Sequence, residues 1–141
     1  MAVTTTIAAV PSARRLRGAA AVLAGFLAVA VLSLVTDQIL HILQVYPPWG
    51  APMWDPKLNL LALTYRTVYS IAGGYLTARL APHRPMRHVV ALAILGAIGG
   101  TAGVIATWNL GFGPRWYPIA LAVTAFPSVW LGGALFARRR G

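Results

Sequence analysis

Three side chains in this sequence combine chemical reach with unusual placement: Asp37, His41 and Arg66. Asp37 is one of only two acidic residues, and Arg66 is the one charge deep inside the apolar run 58–80. An arginine near the centre of a membrane helix costs at least ~2.5–3.5 kcal/mol on insertion scales, so it must turn inward and find a partner. Asp37 is the obvious one. A structural ion pair that fixes helix packing is the first reading; a ligand-binding or proton-handling site is the second. His41 follows Asp37 by four residues and shares its helical face. Asp-x3-His offers two ligands to a metal, or a proton-shuttling pair near neutral pH. Two ligands do not make a site, and His83 and His88 fall toward the opposite end of the spans. Asp37, His41 and Arg66 therefore stand as binding or ion-pair candidates, with no catalytic residue, no metal and no cofactor assigned.

Other chemistries lack their residues. The chain has no cysteine and no glutamate, which excludes disulfides, thiolate ligands, cysteine nucleophiles and paired glutamates. There is no glycine-rich phosphate loop followed by lysine and no G-x-S-x-G. A Ser/His/Asp triad would have to draw on His41, Asp37 and either Ser33 or Ser70, and Ser33 lies within the first span. The net charge of +10 invites nucleic acid, but the arginines sit in clusters between apolar runs, with no basic face interleaved with aromatics. No nucleic-acid partner is expected.

The scaffold that must hold these residues is membrane helix. The 141 residues are 58% hydrophobic and 10% charged, against about 25% charged in soluble domains. Residues 1–17 read as a disordered basic N-terminus. Four spans follow, at about 18–44, 58–80, 89–108 and 116–136, and 137–141 form a basic tail. The first run exceeds a signal-peptide core and lacks a clear A-x-A site, so it is read as a retained helix. Pro47-Pro48 stops it. No stretch alternates with period two, so the fold class is an all-α membrane protein of four transmembrane helices in an antiparallel bundle. Arg14, Arg15 and Arg17, then Arg79, Arg84 and Arg87, then Arg138, Arg139 and Arg140 fall on one side, which the positive-inside rule makes cytoplasmic for both termini. Trp49, Trp54, Trp108 and Trp116 then form an outer aromatic belt with Tyr46 and Tyr117.

Helical geometry aims the charges. Arg66, Ser70, Gly73 and Thr77 make one stripe of polar or small residues. At 1.5 Å per residue, Asp37 sits roughly 28 Å above Gly18 and Arg66 roughly 21 Å above Leu80, a gap that a long side chain spans. In the third span, Gly96, Gly99, Gly100 and Gly103 form two overlapping small-xxx-small patterns for close helix approach, within the bundle or between protomers. Spans two and four both end in GGxLxAR, at Gly73–Arg79 and Gly132–Arg138, which suggests a duplicated helical hairpin. Pro127 should kink the fourth span.

The stretches YPPWGAPM (46–53), TYRTVYSIAGGYLTARLAP (64–82), RPMRH (84–88), ATWN (106–109) and WYPIALAVTAFPSVWLGG (116–133) carry a resemblance. From about Asp37 onward the chain resembles a group of small four-helix inner-membrane proteins of bacteria to which no activity is assigned. The resemblance implies topology and contributes no catalytic residue. The expectation is an integral protein of the bacterial inner membrane, structural or accessory rather than an enzyme. Its partners would be the lipid bilayer and further copies of itself or a larger membrane complex. The alternative is a transporter or channel subunit that uses the charged corner as an oligomer; an enzyme acting on a lipid is a third.

Overall fold

A computed structural model describes the chain from residue 2 to residue 140, with side chains described from residue 13 onward. The side chains of residues 1–12, part of the segment expected to be disordered, fall outside what is described. Four helices carry the chain: α1 (Ala2–Ile42), α2 (Pro56–Leu80), α3 (Pro85–Thr107) and α4 (Trp116–Arg140). No strand occurs among the described residues. Three helices are long and apolar enough to cross a membrane: α1 over Ala13–Ile42, α3 and α4. α2 is not among them, so composition alone does not make it the expected second span.

The helix ends follow from local chemistry. Arg14, Arg15 and Arg17, placed from sequence in the disordered segment, lie on α1. Alanine and arginine are strong helix formers, and nothing between Arg14 and Gly18 breaks the helix. α1 ends at Ile42, before Pro47-Pro48 could stop it. Gln44 adopts the left-handed conformation (φ 60°), and the Val45 and Gln44 amides turn back to the Leu40 and His41 carbonyls at 3.0 and 3.1 Å. This is a Schellman motif with glutamine where glycine is usual. α2 starts where Asp55 caps it, its carboxylate accepting from the Lys57 amide at 2.9 Å, with Pro56 in the first turn. α3 starts earlier than the expected 89, because Pro85 already begins the helix after a left-handed Arg84. α4 continues through Pro127.

The packing order is α1–α2–α4–α3. α2 and α4 form the central seam; α1 lies on α2 and also touches α3, while α3 lies on α4 and also touches α2. Glycines make the seams possible. A Cβ on Gly74 would strike the Val129 backbone, and one on Gly132 would strike the Ile71 carbonyl. Gly73 crosses Gly25 of α1 backbone to backbone, and Gly133 receives Val89 of α3. Such contact lets dispersion and weak C–H bonds hold helices together where lipid removes the hydrophobic drive. The apolar core gathers Ala78, Val89, Leu92, Ala93, Val129 and Phe136.

The two GGxLxAR motifs do not act as equivalent copies. In α2 the first glycine meets the hairpin partner α1 and the second meets α4; in α4 the first meets α2 and the second meets the hairpin partner α3. α2 contacts α3, but among the described residues α1 makes no matching contact with α4. A two-fold relation between hairpins requires both. Of the α3 glycines, Gly100 packs on Ala122 and Gly96 meets the Ala125 methyl at ordinary distance. Gly99 and Gly103 face open space instead of a neighbouring helix.

Candidate functional site

α1 and α2 bring Asp37 and Arg66 together. The buried face of α1 runs Gly18, Ala21, Gly25, Ser33 and Asp37 at helical spacing; Gly18 meets His88 of α3, while Ala21, Gly25 and Asp37 meet α2. The expected α2 stripe answers it. Thr77 donates to the Ala21 carbonyl at 2.9 Å, Gly73 meets Gly25, and Arg66 Nη2 pairs with Asp37 Oδ2. The Asp37 side chain retains 9% exposure and that of Arg66 31%, so the carboxylate is the more enclosed partner.

A tyrosine relay completes the carboxylate. Tyr65 donates its only hydroxyl proton to Asp37 Oδ1. It must therefore accept from Tyr46, whose hydroxyl lies 2.9 Å away. Burial pushes the Tyr46 phenol above its ordinary range, which keeps it a donor. One helical turn away, Thr36 spends its proton on the Leu32 carbonyl at 2.8 Å and so accepts from Tyr69 at 2.7 Å. Arg66 Nε is the buried donor left without a partner among the described residues.

His41 does not join this cluster. Its Nδ1 lies 2.7 Å from the Pro47 carbonyl, which can only accept, so Nδ1 carries the proton. The ring stacks on Trp49 with centroids 4.0 Å apart and meets Tyr46 edge-on at 5.4 Å. Trp49 in turn donates to Gln38 Oε1 at 3.0 Å. His41 thus pins the 43–55 loop onto the end of α1. That loop is also tied to the α3–α4 connection, since the Met53 amide donates to the Phe112 carbonyl at 2.6 Å. Buried Asn59 holds the loop from below, donating to the Met53 and Asp55 carbonyls at 3.1 and 2.9 Å. No group of three or more histidine, cysteine or acidic residues placed to hold a metal occurs among the described residues.

Across known proteins, no family model, no curated protein and no solved structure matches the chain.

The sequence identified the ion pair and missed what surrounds it. Tyr46 and Tyr117 were assigned to the aromatic belt; Tyr46 is 6% exposed and belongs to the relay. Tyr65 and Tyr69 carry no role in the sequence reading. The available signal was that a phenol within a membrane helix needs a partner, and that one arginine leaves a buried carboxylate with an unfilled oxygen.

Proposed function

We propose that this chain is a four-span integral membrane protein with both termini on the cytoplasmic side of a bacterial inner membrane, serving as a structural or accessory component rather than an enzyme. The observation that carries the reading is the closure of the charged corner. Both oxygens of Asp37 are bonded, one to Arg66 and one to Tyr65, and Tyr46 caps Tyr65. Each carboxylate oxygen therefore has a donor from within the bundle, while Arg66 Nε is the buried donor left without a partner and the Arg66 side chain keeps 31% exposure. The group fastens α1, α2 and the first loop together near one end of the helices.

The same pair supports α2 as the second span. Its 25 residues rise about 38 Å, enough for a hydrocarbon core of about 30 Å. It runs between α1 and α4, and its most expensive residue is neutralised by α1. The arginine clusters supply the orientation. The transporter reading is less favoured because a water path would need free polar groups continuing from Arg66. Ser70 donates to the Arg66 carbonyl at 2.8 Å, Thr77 to Ala21 across the helix seam, and Thr101 to the Ala97 carbonyl at 2.8 Å. The topology is tested with compartment-sensitive reporters fused to each terminus. Both should report the cytoplasm, and a reporter found outside at either end refutes the arrangement.

A further inference from the structure

We propose that the groove between α3 and α4, at the end where the two long connections lie, holds one acyl chain of an anionic phospholipid whose phosphate docks on Arg115. This rests on the membrane reading above. The groove encloses a cavity of about 340 Å³ with Gly99 and Gly103 in its wall, and with Leu121, Pro118 and Phe112 around it. It continues into a second cavity of about 430 Å³ that shares Trp108, Gly113 and Arg115 and adds Asn109 and Trp54. The first is mostly apolar, with Asn59, Thr107 and Tyr117 as its polar lining; Arg115 and Trp108 stand where the two meet, and the second adds the Asn109 amide and the Trp54 indole. That sequence of surfaces, tail slot then cationic mouth, matches a phospholipid entered from the side.

The groove is built by sequence rather than left by loose packing. α3 closes on α4 at Gly100, where a Cβ would meet Ala122, and at Gly96. Beside these contacts, Gly99 and Gly103 turn bare backbone to open space. A void of this kind beside hydrocarbon stays free of water and accepts an apolar chain. The tail gains no preference from this alone, since lipid is as apolar as the wall. Choice of lipid must come from the mouth. Arg115 is exposed, and its guanidinium lies over the Trp108 ring at 4.6 Å while Nε donates to the Trp108 carbonyl at 3.2 Å. The stacking orients the plane and leaves the terminal nitrogens for paired bonds to phosphate. Neither acidic residue of the chain lines either cavity, so nothing nearby competes for the cation. A second copy related by a two-fold axis would bring its own Arg115 to the same depth with no acidic partner, which disfavours that occupant.

The test uses the full chain reconstituted in nanodiscs of equal phosphatidylglycerol and phosphatidylcholine, then released into neutral detergent for native mass spectrometry. The wild type should retain phosphatidylglycerol in preference. Arg115→Gln should reduce that preference about fivefold, the range of a partly exposed charge-assisted contact, while still retaining lipid. Gly103→Leu, and independently Gly99→Leu, should lose both lipids at unchanged unfolding temperature, because each new side chain enters the groove and not a helix seam. Equal retention of the two lipids by the wild type would overturn the headgroup assignment. Wild-type retention in both leucine variants would overturn the groove. A wild-type dimer that both leucine variants dissociate, with lipid content unchanged, would replace the lipid with a second copy. Loss of the chain from the membrane fraction under an alkaline carbonate wash would instead refute the membrane reading itself.

Discussion

The Asp37–Arg66 pair yields a prediction that can be worked through from its environment. Removing one member of a buried ion pair costs about 3–5 kcal/mol, because the other charge is left unpaired. The Arg66 side chain keeps 31% exposure, so solvent screening brings Arg66→Gln down to about 2–3 kcal/mol. Asp37→Asn should cost less, about 1–2 kcal/mol, for two reasons. Asparagine Oδ1 still accepts from Tyr65, and the freed guanidinium can extend toward the interface. If the two residues act only separately, the double variant loses the sum, about 3–5 kcal/mol. If they act as a pair, it loses about 2–3 kcal/mol, because the second substitution removes a charge already orphaned. SDS titration in mixed micelles, followed by helical circular dichroism, gives all four stabilities. Additivity within about 0.5 kcal/mol would refute the idea that contact between these side chains fastens α1 to α2.

Two further predictions concern backbone geometry. Gly74→Ala should cost more than about 3 kcal/mol or abolish folding, since the added methyl strikes the Val129 backbone of α4, whereas Gly99→Ala should change stability by less than about 0.5 kcal/mol; denaturation of both under the same conditions checks the contrast. Gln44→Gly should stabilise the chain by up to about 1 kcal/mol, because glycine carries no Cβ penalty at φ 60° in the Schellman turn; a loss of stability in the same titration would show that the glutamine side chain is needed there.

Much of the fold was legible because few solutions exist for apolar segments of this length. The expected span limits fall within a few residues of the α2, α3 and α4 ends. The inward aim of Arg66 was readable because its cost leaves one option. α3 starts before the expected 89 because Pro85, in a basic stretch between apolar runs, is suited to a first helical turn. The glycines of α3 show a deeper limit. Gly96, Gly99, Gly100 and Gly103 look alike in sequence, but only the rotation of α3 against α4 decides which of them meets a helix and which faces open space. The tyrosine relay was hidden for a related reason. Tyr46 reaches Tyr65 only because a left-handed Gln44 folds the loop back over α1, and a glutamine gives no advance notice of that turn. Repetition of GGxLxAR invited a symmetry that the contacts of α1 and α3 do not share.

The pairing of a carboxylate on α1 with a guanidinium on α2 also bears on biogenesis. During synthesis Asp37 emerges before Arg66. On the four-span topology, α2 is the helix least able to enter the bilayer by itself, and the group that neutralises it is already positioned on its predecessor. The first two helices would therefore integrate as one hairpin unit, with the charge of the second discharged by the first at the moment of entry. The later pair, apolar enough on both arms, has no such dependence on order.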